Sequence, residues 1–406
     1  MIRPRLRRRT SPLASTRLHS VALTTALLTV TALAGIPASA APRAEPTRLL
    51  VMPSELADGQ ACTGGPEQKA SALPWAQQSL GLGRTWAVSQ GDGVTVAVVD
   101  TGVSAQAPAL RGRVTSVGSG GTDCVGHGTF VAGLIAAGPA KGVRFAGTAP
   151  AARIIGVRGT DERGAATDSS VAAGINAAVD AGADIIEVSP ALVKRSDALR
   201  TAVSHALAKD ALIVAAAVPD APQHTSGTAA PPRDYWPASE PGVLSVIDFD
   251  AGGARPEDAL LPRGADLAAP GDGVVGIGPT GTGHFIGSGA SLAAAYVAGT
   301  AALVRSTHPG LSATATAETL TATAYPADVP RIDPYAAVTS VRGGAVAHHS
   351  APGSGPVELP SDGDGARATR RALVLASVGV GVALLAAWGA LIVPRGRARR
   401  WRAAGR

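Results

Sequence analysis

Apolar positions along the chain follow three patterns. Unbroken apolar runs lie near both ends, from about Val21 to Ala34 and from Ala372 to Val393, while the middle alternates short runs with longer segments. Within the middle, Val94–Val99 is a brief β-branched run without polar alternation, as expected of a parallel strand buried on both faces. Comparable runs recur at Ile154–Val157, Ile185–Val188, Leu212–Ala217 and Val243–Ile247. Helical patterns fit 128–137, 168–181 and 197–209 between them, then Ser291–Val304 and Ser312–Ala324. This alternation predicts an α/β fold, a doubly wound and mostly parallel sheet with helices on both faces.

The two terminal runs carry different flanks. Arg3, Arg5, Arg7, Arg8 and Arg9 precede the first and Ala38-Ser39-Ala40 follows it, so residues 1–40 read as a signal peptide cleaved near Ala41. The second holds 22 residues without a charge, enough for one transmembrane helix over 372–393. Arg395, Arg397, Arg399, Arg400, Arg402 and Arg406 follow it, and the positive-inside rule keeps this basic tail, 394–406, in the cytoplasm. The expected protein is a single-pass protein of the cell membrane with its globular domain outside. Residues 41–90 read as an N-terminal extension with a docking region at Pro74-Trp75-Ala76-Gln77. The folded domain spans 91–340, and the His, Ser, Pro and Gly-rich stretch 341–371 reads as a flexible linker.

The ends also account for the charge. Each of residues 1–40 and 394–406 carries six arginines and no acid, so removing those twelve turns the formal +6 into −6 for residues 41–393. A nucleic-acid partner therefore has no basic surface to rest on. Aromatics make up only 3% while hydrophobic residues reach 46%, so the core is built from small side chains. Two cysteines, Cys62 and Cys124, fall in the exported part, where an oxidising compartment favours a disulfide over two free thiols.

Three local motifs carry chemistry. Val98-Val99-Asp100-Thr101-Gly102 puts a carboxylate at the end of the first strand, Gly126-His127-Gly128-Thr129 puts a histidine at a helix start, and Gly289-Ala290-Ser291 puts a serine at the start of a late helix. In open α/β sheets such positions gather at the carboxyl ends of the strands. A serine hydroxyl needs a base to take its proton, His127 can serve near neutral pH, and Asp100 can hold the imidazole in the required tautomer. Singly these motifs are common; the ordered set points to nucleophilic catalysis. No carboxylate cluster has calcium-ligand spacing, and no metal or other cofactor is called for.

Asp-Thr-Gly, Gly-His-Gly-Thr and Gly-x-Ser in this order resemble the subtilisin family of serine proteases, from about 73 to 340. Ala146-Gly147-Thr148-Ala149-Pro150 and Ala268-Ala269-Pro270-Gly271 extend the likeness. Pro74-Trp75-Ala76-Gln77, Thr122-Asp123-Cys124, Tyr296-Val297-Ala298-Gly299 and the C-terminal apolar run are similar to mycosins, the membrane-anchored subtilases of type VII secretion systems. The resemblance implies a triad of Asp100, His127 and Ser291, a Cys62–Cys124 disulfide and an arm wrapped around the domain. It further implies an exported protein or peptide as substrate and a secretion complex in the membrane as partner.

Where that family places an oxyanion-binding asparagine, in Ala-Ala-Gly-Asn, this chain reads Ala216-Ala217-Val218-Pro219. Proline offers neither an amide side chain nor a backbone N–H. Losing one such donor costs ~10²–10³ in turnover, ~2.7–4 kcal/mol. The only asparagine, Asn176, lies in a predicted helix away from this loop. Ala290, Ala295 and Glu187 also replace the usual threonine, proline and asparagine. The remaining donor is the Ser291 N–H, and Gln223, His224 and Thr225 are candidate substitutes. A weakened protease and a catalytically degenerate structural subunit both follow from this pattern.

Overall fold

Short runs of Val, Ile and Ala form the centre of the protein because each can be buried on both faces. The computed structural model describes residues 48–220, 231–256, 259–340 and 363–398; the expected signal peptide, the first part of the arm and most of the linker lie outside these residues. The strands are β1 (Leu50–Val51), β2 (Thr95–Asp100), β3 (Val114–Val117), β4 (Arg153–Arg158), β5 (Ile185–Val188), β6 (Leu212–Ala216), β7 (Leu244–Phe249), β8 (Leu267–Pro270), β9 (Val274–Ile277) and β10 (His284–Gly287). The helices are α1 (Trp75–Ser79), α2 (Leu82–Thr85), α3 (His127–Ala136), α4 (Asp168–Asp180), α5 (Asp197–Ala208), α6 (Ala290–Thr307), α7 (Ala313–Ala322), α8 (Pro334–Thr339) and α9 (Gly363–Ala398).

Seven strands pair in the order β3-β4-β2-β5-β6-β7-β8, every neighbouring pair parallel. The chain enters at β2, adds β3 and β4 on one side, and then β5 to β8 on the other. This reversal makes the carboxyl ends of β2 and β5 the switch point, where a crevice opens. Side-chain alternation divides the core. Val96 and Val98 pack with Phe130 and Leu134 of α3 and Tyr296 and Val297 of α6. Ala97 and Val99 point the other way, against Val171 and Ile175 of α4 and Leu199 and Val203 of α5. The doubly wound fold expected from the sequence is the one observed.

Helix α6 is buried from Ala290 through Arg305, as its lack of a polar face requires. Polar caps set other helix starts: Thr167 and Ser170 form a capping box on α4, and Ser196 caps α5. A second, three-stranded sheet was not expected: β1 runs parallel to β10, which pairs antiparallel with β9. The docking region becomes α1, whose Trp75 indole donates to the Gly273 carbonyl (3.0 Å), while Gln77 accepts from Ala146 N–H (3.2 Å).

Residues 341–406 are a separate unit. Their helix, α9, starts at Gly363, ahead of the apolar run, and carries a candidate membrane span over Arg370–Gly396 with mean hydropathy 2.2. Apolar side chains such as Leu375 and Leu385 are exposed on it, as suits a helix whose solvent is lipid.

Candidate active site

Asp100 ends β2 and His127 opens α3, and both side chains are buried. Asp100 Oδ2 lies 2.7 Å from His127 Nδ1, and its Oδ1 accepts from the Thr101 N–H at 2.5 Å. The start of α3 is held by Asp123. Its Oδ1 accepts from Thr101 Oγ1 (2.9 Å) and Gly126 N–H (2.7 Å), and its Oδ2 from Thr129 N–H (2.8 Å) and Oγ1 (2.6 Å). One carboxylate thus joins the Asp100 turn to the His127 helix. The glycine after His127 is needed for close approach, since a Cβ on Gly128 would sit 2.1 Å from the Gly102 carbonyl oxygen. Cys62 and Cys124 are bonded beside this brace, and Thr63 N–H donates to the Cys124 carbonyl at 2.9 Å.

Ser291 lies in the first turn of α6, fully buried, with Oγ 3.3 Å from His127 Nε2. Asp100, His127 and Ser291 therefore converge at the carboxyl edge of the sheet. Pro219 lines the same cleft, and the residue after it supplies what the sequence did not reveal. Asp220 Oδ1 accepts from the Ser291 N–H (3.1 Å), and Oδ2 accepts from Ser291 Oγ (2.5 Å) and lies 3.1 Å from His127 Nε2. The N–H expected to be the remaining oxyanion donor is thus already engaged. Gln223, His224 and Thr225 lie outside the described residues.

Two carboxyl groups contact the imidazole, a third lies buried nearby on β5, and burial sharpens their competition. Burial alone would push the His127 pKa down, but the charge and hydrogen bond of Asp100, joined by those of Asp220, hold it well above the ordinary histidine value. Burial would likewise raise Asp100, yet His127 with hydrogen bonds from Ser189 and Thr101 keeps it below the usual carboxylate value. Glu187, fully buried on β5 opposite Val98, goes the other way. Burial first, and Asp100 next, push it well above 4.5 and favour its protonated form; the Ser189 hydroxyl lies 3.0 and 3.1 Å from its two oxygens.

The arm borders the cleft. Met52 N–H donates to the Ile286 carbonyl (2.8 Å) and Leu56 N–H to the Arg163 carbonyl (2.9 Å), so the intervening Pro53, Ser54 and Glu55 line the cavities beside His127 and Asp220. The Arg163 guanidinium secures this crossing by donating to the carbonyls of Leu56 (3.2 Å), Ala57 and Gln60 (3.0 Å).

A parallel sheet of this order, with aspartate, histidine and serine meeting at its carboxyl edge, defines a subtilisin-like protein. The chain belongs to the subtilase family, whose profile matches residues 91–367. Its relatives place it more narrowly, among proteins similar to mycosins. Mycosin-3 of Mycobacterium tuberculosis (strain ATCC 25618 / H37Rv) is 34% identical over 315 residues, a match covering 62% of this chain and 66% of that protein, just under two thirds. The crystal structure of MycP1 from the ESX-1 type VII secretion system superposes with a TM-score of 0.62 at 26% identity, covering 73% of this chain and 97% of that one. In an intact ESX-5 inner membrane complex, a chain matches with a TM-score of 0.61 at 27% identity, covering 84% of this chain and 97% of that one. The mycosin likeness read in the sequence is thereby confirmed, and the C-terminal helix fits a membrane anchor.

Proposed function

We propose that this chain is a membrane-anchored serine endopeptidase of the mycosin type, acting on exported proteins or peptides beside a type VII secretion complex. The observation that carries the reading is the contact chain Asp100–His127–Ser291, with 2.7 Å and 3.3 Å between its members. Asp100 orients the imidazole, His127 takes the Ser291 proton, and Ser291 attacks the peptide carbonyl. The C-terminal helix holds the protein in the cell membrane through lipid contacts, with the catalytic domain outside and the arginine tail in the cytoplasm. The ESX-5 complex match supports the secretion-complex partner.

A second reading has its own observation. Asp220 occupies the Ser291 N–H and Oγ together, as would suit a degenerate subtilase serving as a structural subunit of the complex. Labelling of the full-length protein in membranes with a fluorophosphonate separates the two. The protease reading expects labelling that disappears in Ser291→Ala; a folded wild-type protein that stays unlabelled sinks it.

A further inference from the structure

Asp220 touches the Ser291 N–H, the Ser291 hydroxyl and the His127 imidazole together. It accepts from the Ser291 N–H and Oγ and sits 3.1 Å from His127 Nε2. Its side chain is only 9% exposed. The fit depends on the missing side chain of Gly289, where a Cβ would fall 2.1 Å from Asp220 Oδ1.

As a carboxylate, Asp220 consumes the Ser291 N–H and repels negative charge at the place where it must develop. As a carboxylic acid it becomes a donor at that same place. The proton it needs is already at hand. His127 Nε2 and Asp220 Oδ2 form a hydrogen-bonded pair that can hold one proton in two arrangements: imidazolium with carboxylate, or neutral imidazole with carboxylic acid. In the first, His127 has no lone pair to accept the Ser291 proton. In the second, the acid O–H still faces His127 Nε2; once it turns toward the carbonyl oxygen of the substrate, the Nε2 lone pair is free to take the Ser291 proton and Asp220 is an oxyanion donor.

We propose that Asp220 is a catalytic residue that, when protonated, donates the oxyanion hydrogen bond, the reactive species being the minor arrangement with the shared proton on Asp220 rather than on His127. The inference rests on the protease reading above and assigns that site its missing donor. In the attack, Ser291 Oγ bonds to the carbonyl carbon while its proton passes to His127 Nε2. The carbonyl π pair moves onto oxygen, which accepts from Asp220 O–H and from the released Ser291 N–H. On collapse the carbonyl re-forms, the C–N bond breaks, and His127 gives its proton to the departing amine.

Both arrangements hold the same number of protons, so their ratio is independent of pH and only the total titrates. Losing the shared proton removes the donor and gaining a second removes the base, which gives a bell-shaped profile. The titratable and charged groups facing this pair are Asp100 from β2, Glu187 from β5, Asp248 from β7 with Arg255 and Asp272 near it, and Glu55 from the arm. Burial opposes charge on His127, but Asp100 and Asp220 outweigh it, so the alkaline limb lies above the ordinary histidine range.

The test compares detergent-solubilised full-length wild type, Asp220→Asn and Asp220→Ala by p-nitrophenyl ester hydrolysis from about pH 5 to about pH 10, with Ser291→Ala as background. Wild type should give a bell. Asp220→Asn, a permanent donor, should be faster and keep its rate at alkaline pH. Asp220→Ala should fall below wild type and roughly 10²-fold below Asp220→Asn. An Asp220→Ala protein faster than wild type at every pH overturns the proposal, because Asp220 then only obstructs. A wild-type rate still climbing at alkaline pH also overturns it, and that measurement needs no variant to fold. Absence of Ser291-dependent turnover in both wild type and Asp220→Asn removes this proposal and the protease reading together.

Discussion

His127 and Ser291 each lie at a helix start facing the same cleft, and the two starts are held in opposite ways. At α3, Asp123 takes four hydrogen bonds from Thr101, Gly126 and Thr129, none of which reacts. At α6, no side chain caps the N-terminal residue, and the Asp220 carboxylate that takes the Ser291 N–H also takes the Ser291 hydroxyl. A brace bonded only to scaffold groups fixes geometry and leaves reactivity alone. A brace bonded to the proposed nucleophile ties its reactivity, on the proposal above, to where a proton sits. The placement of His127 is therefore fixed by scaffold contacts alone, whereas Ser291 shares its contact with a carboxylate that also lies against His127.

The comparison can be broken at the α3 end first. Cys124 adjoins Asp123, and the bond to Cys62 closes a loop of 62 residues, worth about 4 kcal/mol by chain entropy. Cys62→Ser with Cys124→Ser should lose about that much in denaturant unfolding. Asp123→Ala strands several part-buried donors and should cost about 3 kcal/mol. It should also slow any Ser291 labelling, because His127 loses its fixed placement; an unchanged labelling rate would show that the brace is not needed. The smallest effect sharpens the contrast through Glu187. Its raised pKa means that the folded state keeps a proton the unfolded state releases, so stability falls as pH rises from 4.5 toward the raised value. Glu187→Gln has no such loss, so its melting temperature should gain on wild type more at pH ~8 than at pH ~5. Equal gains at both would contradict the buried acid.

Much of this was legible beforehand, for identifiable reasons. Val94–Val99 and Ile185–Val188 are β-branched runs too short for helices, and the observed strands, Thr95–Asp100 and Ile185–Val188, coincide within a residue. The motifs around Asp100, His127 and Ser291 are local, because turns and helix starts are specified by adjacent glycines. What escaped is non-local. Strand β1 is two residues long and finds its partner at Phe285 and Ile286, so no local period announces it. Strand β8 has no local signal, because Ala268, Ala269 and Pro270 carry no strand preference; its identity comes from pairing with β7. Asp220 was hidden for a related reason. A gapless comparison stops at Pro219, whereas the carboxylate one residue later reaches Ser291 through a fold that brings positions 71 residues apart into contact.

The Cys62–Cys124 bond has a consequence for how the molecule can be cut. The strand that borders the cleft, Leu50–Val51, lies outside the covalent ring it closes, whereas Asp100 lies inside it. A protease clipping ahead of Cys62 can strip that border away and leave the ring whole. A single nick between 62 and 124 yields two fragments that migrate as one until a reductant is added. The edge of the cleft is thus removable by trimming, while the residue that orients His127 stays tethered through the same insult.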